Sequence, residues 1–221
     1  MEFYHIVNRG VEKRKIVHDA GDRIRFVSGL FTFNDRHRVA NPRTQPKRRH
    51  SDGGQRELLV HIHAWCLMNN HYHILLSPIN DDISNISLFM KKLNMGYAKF
   101  FNEKYKRSGY LWQGRYKKIH IQTDSHFMYI PYYIHLNPLD CTQHNWREGT
   151  LSDMDMRNAL NALENYRWSS YLDYNESTNF PSIITKSVLT EILGNSTNQL
   201  EIIKDITTSI DLGKKSLLLE I

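Results

Sequence analysis

A β-hairpin around residues 69–70 constrains the fold of this chain most strongly. Two runs rich in β-branched, aromatic and other apolar residues, 58–67 and 71–76, flank the turn-forming dipeptide Asn69-Asn70. This pattern is typical of an antiparallel hairpin with a two-residue turn. In that register Met68 pairs with His71, whereas a longer turn would change the pairing. The hairpin therefore predicts an antiparallel sheet.

The other elements fit around this hairpin. Residues 3–9 form a strand pattern closed by Gly10, and residues 116–121 form another. Apolar residues at helical spacing predict three helices, over about 19–33, 83–105 and 124–136, with Asp19 and Asp124 as N-caps. Pro131 predicts a kink or a late start in the third helix, and Asn137-Pro138 ends it. The order β-α-β-β-α-β-α predicts an α+β fold, a ferredoxin-like antiparallel sheet with helices on one face and an added helix.

The chain divides into a catalytic-type domain and an extension. We predict a domain over residues 1–140 and a helical C-terminal extension over 141–221, with helices near 154–166 and 185–193. Between the first helix and the hairpin, residues 34–56 are polar, basic and rich in proline and glycine. This composition predicts a mobile basic insertion.

Composition limits the kinds of binding partner and the cellular compartment that we expect for this chain. The chain has 221 residues, a formal charge of +6 and only two cysteines, Cys66 and Cys141. Two cysteines are too few for a disulfide framework and are consistent with a reducing cytoplasm. We expect a cytoplasmic protein with nucleoid-associated activity. No apolar run approaches the roughly 18 residues of a membrane span, so we expect no membrane partner. The positive charge favours a polyanionic partner.

The basic residues form two clusters, and the one over residues 104–118 is interleaved with aromatic residues. Arg43, Lys47, Arg48 and Arg49 lie in the 34–56 insertion. Basic side chains bind phosphates and aromatic faces stack on unpaired bases, although a solvated helix end gives the same pattern. The predicted DNA-binding residues are Arg9, Lys104, Arg107, Trp112, Arg115, Lys117 and Lys118.

His71 and His73 are one residue apart on a strand, so their imidazoles point to the same face. Two adjacent imidazoles provide half of a divalent-metal site, although strand histidines are also often merely packed. A second pair, His61 and His63, has the same spacing. With a two-residue turn, that pair is expected on the opposite face of the hairpin.

Tyr133 and Asn137 are four residues apart, which places them on one face of a helix. A phenol can attack phosphorus once it is activated, and a metal ion can polarise the phosphate. Imidazole and amide oxygen together suit Mg²⁺ or Mn²⁺. Tyr129 and Tyr132 are rival nucleophiles, and Tyr133 and Asn137 can also be a core aromatic and a helix C-cap.

Several segments together resemble a known family. Residues 68–73, Met-Asn-Asn-His-Tyr-His, resemble the HUH signature of single-tyrosine transposases of insertion sequences. Residues 111–116 and 133–138 are similar to the REP-associated tyrosine transposases, as are residues 4–10 and 166–171. The resemblance covers residues 3 to about 172. Tyr72 at the hydrophobic position and Asn69 where proline is frequent depart from the pattern.

The resemblance implies a transposase that cleaves and rejoins single-stranded DNA, often at hairpins, through a covalent 5′-phosphotyrosine. It assigns His71 and His73 as metal ligands, Tyr133 as nucleophile and Asn137 as third ligand, with Mg²⁺ or Mn²⁺ as cofactor. The expected partner is single-stranded or hairpin DNA, bound by a monomer or homodimer. Two alternatives remain: a nucleic-acid-binding regulator that no longer cleaves, and a metal hydrolase that activates water.

Overall fold

The structure of the protein is a computed structural model that describes residues 1–37, 56–142, 146–149, 151–175, 177–193 and 196–208. Its sheet consists of the strands β1 (Phe3–Arg9), β2 (Val60–Leu67), β3 (His71–Pro78) and β4 (Lys117–Ile121). The α-helices of these residues are α1 (Ala20–Thr32), α2 (Ser84–Lys104), α3 (Asp124–Leu136), α4 (Asp153–Asn165), α5 (Tyr171–Tyr174), α6 (Ser187–Leu193) and α7 (Ser196–Thr208). None of the helices is long and apolar enough to cross a membrane.

The sheet has the predicted ferredoxin-like order. All neighbouring strands are antiparallel, in the order β2-β3-β1-β4. The hairpin turn has two residues, because the Met68 amide donates to the carbonyl of His71 over 2.8 Å. Cys66 lies opposite His73, as this turn requires. The α+β fold predicted from the element order is therefore confirmed.

The two faces of the sheet carry different cores. Alternate residues such as Tyr72, Ile74 and Leu76 pack with α1 and α2 in one buried cluster. The intervening face packs Leu75 and Cys66 against α3. The ferredoxin-like helices α1 and α2 thus share one face, as predicted, while α3 covers the other. His71 and His73 lie on the α3 face because side chains alternate along β3.

A β-bulge corrects the predicted position of His61 and His63. The β2–β3 register shifts between Ile62 and Ala64, which inserts one extra residue into β2. His61 therefore pairs with Ser77, a residue on the same face as His73, and the ring of His63 hydrogen-bonds the Ser77 hydroxyl over 2.9 Å. The prediction that this pair lies on the opposite face is wrong. The pair occupies the far end of the hairpin, away from its turn.

The start of α3 differs from the prediction. The N-cap is Thr123, whose hydroxyl accepts a hydrogen bond from the His126 amide, while Asp124 is the first helical residue. A threonine at this position satisfies an amide that has no partner within the helix. Of the kink or late start expected from Pro131, the late start is wrong, since the helix begins at Asp124 and continues through Pro131. The cap predicted for α1 is confirmed, because Asp19 accepts from the Asp22 amide.

The C-terminal helices pack on the α3 side of the sheet. Ala159, Leu163 and Leu189 belong to the same buried cluster as α3. Residues 168–170 run along the free edge of β2, where the carbonyl of Trp168 accepts from the Leu67 amide over 2.9 Å. The domain division at residue 140 stays a prediction, and side chains from both of its parts share one core. Most of the predicted 34–56 insertion, residues 38–55 with all four of its clustered cations, lies outside the described residues.

Candidate active site

The two strand histidines meet near the turn end of β3. The ring centroids of His71 and His73 are 4.9 Å apart, and their planes are nearly perpendicular at 84°. Nδ1 of His71 is 2.6 Å from Oδ1 of Asn70, and Nδ1 of His73 is 2.9 Å from Nε2 of His5. Both Nε2 atoms are buried and have no hydrogen-bond partner in the described part of the chain. Each ring is therefore held at one nitrogen while the other is left available to a ligand.

Burial keeps these imidazoles neutral. It lowers the pKa of His71 to about 4, and the nearby Arg9 guanidinium acts in the same direction. Burial also lowers the pKa of His73 well below its ordinary value, and the charge of a protonated His71 would lower it further. A neutral imidazole has a lone pair for a metal ion, whereas an imidazolium has none. The pair is thus in its ligating form at neutral pH.

Asn137 comes to the histidines from the end of α3. It is the C-cap of α3, and its side chain is fully buried. Its Nδ2 donates to the carbonyl of Tyr133 over 2.7 Å, and its Oδ1 accepts from Nη2 of Arg147 over 3.2 Å. The Asn137 side chain also acts on the pKa of His71, raising it against the larger effect of burial. The amide thus lies beside the histidine pair.

Tyr133 packs directly against the histidines. Its ring centroid is 5.4 Å from that of His73 and 5.9 Å from that of His5, in both cases edge to face. The rival Tyr129 contacts Tyr133 at 6.5 Å, one ring further out. Tyr132 has a buried hydroxyl with no hydrogen-bond partner among the described residues, and burial raises its pKa to about 12. Among these three phenols, the ring contact with His73 belongs to Tyr133.

The sequence prediction missed three residues around this site. His5 reaches His73 because β1 pairs with β3. Arg147 is 7% exposed, and its guanidinium carbon lies 5.1 Å from the Tyr133 ring centroid. Asp140 accepts from Arg147 at 2.7 and 2.9 Å. The β-α order indicated that β1 lies next to β3, which was a signal for His5. The turn that brings Arg147 back to α3 has no such signal.

The donor set fits a divalent cation. In the described part of the chain, no group of three histidine, cysteine or acidic residues is arranged to hold a metal. The set at hand is different, because it combines two imidazole nitrogens with the amide oxygen of Asn137. The buried Nε2 atoms of His71 and His73 lack hydrogen-bond partners within the described residues, as expected for ligand atoms. Mixed nitrogen and oxygen donors suit Mn²⁺, and Mg²⁺ less readily.

Three of the predicted DNA-binding residues come together beside the histidines. Arg9, Arg115 and Lys117 line one cavity. Arg9 is the register partner of His71, and Lys117 is the partner of Val7 on β1. Partners in an antiparallel pair share a face, so Arg9 and Lys117 lie on the histidine face of the sheet.

The other four predicted DNA-binding residues are placed elsewhere. Lys104 is ion-paired with Asp19 at 2.7 Å and Asp22 at 2.6 Å. Trp112 packs in the core on the α1 and α2 side, and its indole N–H donates to the Asn94 carbonyl. The remaining two also contact aromatic rings: Arg107 lies over the ring of Phe101 and Lys118 over that of Tyr4.

Comparison with known proteins gives a family match and a structural similarity. Residues 30–137 match the family model described as "Transposase IS200 like". No curated protein sequence matches the chain. A solved structure of a REP-associated tyrosine transposase bound to a REP hairpin has a TM-score of 0.46 and 13% sequence identity, covering 83% of this chain and 84% of that chain.

The matched segment includes the hairpin, the β3 histidines, Tyr133 and Asn137. Its C-terminal limit is Asn137, whose side chain acts on the pKa of His71. Over residues 30–137, just under half of its length, this chain is similar to the IS200-like transposase family.

Proposed function

We propose that this protein is a transposase that cleaves and rejoins single-stranded DNA, at or beside hairpins, with Tyr133 as nucleophile. The observation that carries the proposal is the contact between the rings of Tyr133 and His73, 5.4 Å apart between centroids. That contact brings a phenol to a pair of buried imidazoles within a segment of the transposase family. Family membership alone would leave the nucleophile open among three neighbouring tyrosines.

The proposed cleavage is a transesterification at phosphorus. The Tyr133 phenol loses its proton, its oxygen forms a bond to the scissile phosphorus, and the bond from phosphorus to the 3′ oxygen breaks. That oxygen gains a proton and leaves as a free 3′-OH, while the 5′ phosphate stays on the tyrosine. No water is consumed, so another 3′-OH can attack the phosphotyrosine and rejoin a strand.

His71, His73 and Asn137 are the residues that would hold a Mg²⁺ or Mn²⁺ ion in this mechanism. When bound, such an ion supplies Lewis-acid polarisation of the scissile phosphate. Asn70 and His5 hold the two imidazoles in orientation from behind. Arg147 orients the Asn137 amide and adds positive charge beside Tyr133. These contacts support a site whose donors are oriented before DNA arrives.

Binding without cleavage is a second candidate, and one observation favours it. The side chain of Tyr133 is fully buried, so its phenol is shielded from solvent. A protein that only binds DNA has no need to expose this group. In the transposase mechanism, by contrast, the packing over the phenol must open when DNA binds.

Covalent capture separates these candidates. Labelled single-stranded and hairpin DNA would be incubated with the protein and Mn²⁺ and then resolved on a denaturing gel. We expect a labelled band at the protein's mass that is lost in Tyr133→Phe and in His71→Ala. Tyr129→Phe and Tyr132→Phe are the matched controls and should retain it.

Each other outcome contradicts the proposal in its own way. An adduct that survives Tyr133→Phe would move the nucleophile to a neighbouring tyrosine. Cleavage without any adduct would indicate a metal hydrolase that activates water. Binding with neither cleavage nor adduct would indicate a regulator.

A further inference from the structure

A basic cavity opens beside the candidate active site, where β1 ends and β4 begins. Its volume is about 500 Å³, and it is lined by residues 7–9, Lys13, 113–115 and Lys117. The lining thus comes from the end of β1, the turn that follows it, the loop before β4 and the first residue of β4. Pockets for small ligands commonly have volumes of about 300–1,000 Å³. The cavity has room for one or two nucleotides of an unpaired strand.

The cavity directly adjoins the histidine pair. Arg9 is the register partner of His71, and Val7 is the partner of both His73 and Lys117. These cross-strand partners project from the same face of the sheet. A DNA strand that lies in the cavity is therefore next to the proposed metal ligands, which are on the neighbouring β-strand.

The charges that line the cavity are all positive. Four cations contribute to the wall, namely Arg9, Lys13, Arg115 and Lys117, and no carboxylate does. Within the described residues, none of the four forms an ion pair. Nε of Arg9 is buried with no hydrogen-bond partner in that same part of the chain. Lys104 shows the contrast, since two aspartates already neutralise it. The cavity is thus suited to an anion that the fold itself does not supply.

Backbone hydrogen bonds fix the cavity wall. The Gln113 amide donates to the Arg9 carbonyl over 2.9 Å, and the Val11 amide donates to the Leu111 carbonyl over 2.9 Å. Gly114 follows directly, and a Cβ added there would meet no atom within 4 Å. The loop is therefore held against the end of β1, and glycine at 114 leaves open space.

We propose that this cavity is the subsite for the unpaired nucleotides that adjoin the scissile phosphate. Arg9 and Lys117 contact their phosphates, and the side-chain amide of Gln113 contacts a base edge. The inference rests on the proposed function for its substrate, single-stranded DNA. It adds where the strand lies, and it distinguishes this group of cations from the neutralised or aromatic-packed ones elsewhere.

Binding measured without cleavage tests the cavity independently of the chemistry. Fluorescence anisotropy would use the full chain carrying Tyr133→Phe, with EDTA, and a labelled mixed-sequence DNA strand of about twelve nucleotides. Gly114→Glu places a negative charge in open space and should weaken binding about tenfold. Gly114→Ala is the matched control and should bind like the parent, because its methyl group also meets nothing.

The salt dependence provides a second readout. Each phosphate contact contributes about −0.7 to the slope of log K against log salt concentration for single strands. The double variant Arg9→Gln/Lys117→Gln should therefore make that slope less steep by about 1.4. Lys91→Gln removes an exposed cation from α2 and should leave the slope unchanged.

Equal binding by Gly114→Glu and Gly114→Ala, with an unchanged slope in the double variant, would overturn the proposal. If the wild type forms a covalent adduct while these variants bind normally, the cavity assignment fails alone. If the variants lose binding while the wild type forms no adduct, the cavity stands and the proposed chemistry fails.

Discussion

At the scale of single residues, His5 is a partner of the candidate metal site that carries no motif of its own. Its Nε2 is 2.9 Å from Nδ1 of His73, and its ring is stacked on that of His73 at 5.1 Å. Such a contact fixes which nitrogen of His73 carries the proton and leaves Nε2 for a ligand. His5 is therefore a positioning residue for the proposed metal ligands His71 and His73.

Replacing His5 by phenylalanine should weaken Mn²⁺ binding by about 10–100-fold, the usual effect of losing such a partner. Titration of free Mn²⁺ by electron paramagnetic resonance measures this directly, without DNA. His63→Phe is the matched control, because His63 is another buried histidine with a hydrogen bond, in its case to Ser77. Equal Mn²⁺ affinity in the two variants would contradict the role given to His5.

Arg147 connects three parts of the site. It donates to Asp140 and Asn137 and lies over the ring of Tyr133. Arg147→Gln should lower the free energy of unfolding by about 2–3 kcal/mol, because charge-assisted bonds in a nearly buried setting are lost. Urea denaturation measures the change, and Arg157→Gln on an exposed position of α4 should cost no more than about 0.5 kcal/mol. Comparable losses would show that the network adds nothing to stability.

Motif spacing was sufficient to predict some of these residues. His71 and His73 were predicted to share a face because strand alternation is local, and Tyr133 with Asn137 because helical spacing is local. His5 contacts a residue 68 positions away in the sequence, through strand pairing. Arg147 contacts a residue 10 positions away, across a turn. Contacts of that kind depend on tertiary structure, which explains why they were missed.

At the scale of elements, α3 sets the position of Tyr133, the proposed nucleophile. It carries Tyr133 across the face of the sheet and delivers Asn137 at its C-terminal end. Its Thr123 cap fixes where the first turn begins and hence which residues face β3. The helix packs on β2 and β3, so its axis is fixed by the same core that holds the histidines.

The two candidate caps of α3 can be compared directly. Thr123→Ala should lower the free energy of unfolding by about 1 kcal/mol, because the His126 amide loses its acceptor. Asp124→Ala removes only an acidic side chain from the first turn and should cost about half as much or less. Thermal unfolding of the two variants measures the difference. A larger loss for Asp124→Ala would restore the cap predicted from the sequence.

Strand and helix bounds followed closely from the sequence, whereas the bulge did not. Apolar alternation predicted β1 over residues 3–9, as observed. The extra residue between Ile62 and Ala64 leaves no mark in a run where nearly every residue is buried. When nearly every residue of a strand is buried, the sequence does not show which side chains point to which face of the sheet. The face of His61 and His63 was therefore predicted wrongly.

At the scale of the whole molecule, buried histidines make stability depend on pH. Burial lowers the pKa of His63 to about 4 and that of His135 to about 3. In the unfolded chain both should titrate near 6.5. Between these values the unfolded chain binds more protons than the folded one, so stability falls as the pH falls from about 6.5 towards 4.

Each of these two histidines should remove about 2 kcal/mol from the free energy of unfolding between pH 7 and pH 5. Urea denaturation at the two pH values measures the total for all the buried histidines, including His5, His71 and His73, and His63→Gln should reduce the difference by its own share. His120→Gln, at an exposed position of β4, is the control and should not change it. A stability that does not vary with pH in this range would contradict the burial of neutral histidines.

The chain has a formal charge of +6, and its cations are grouped in space differently from their grouping along the sequence. Lys104, prominent in the sequence cluster, is neutralised by α1, while Arg9 from the far end of the chain joins Arg115 and Lys117. The positive charge favours a polyanionic partner, which is consistent with the similarity of residues 30–137 to IS200-like transposases. The order of the strands decides which cations lie together. The cluster read from the sequence therefore grouped cations that are paired within the fold with cations that line the cavity.

The most direct test of the account is to identify the residue that becomes linked to DNA. The wild-type adduct would be digested with trypsin and nuclease, and the modified residue located by tandem mass spectrometry. The account predicts a nucleotide 5′-phosphate on Tyr133. A modification on Tyr129 or Tyr132, or a cleaved strand with no modified peptide, would contradict it.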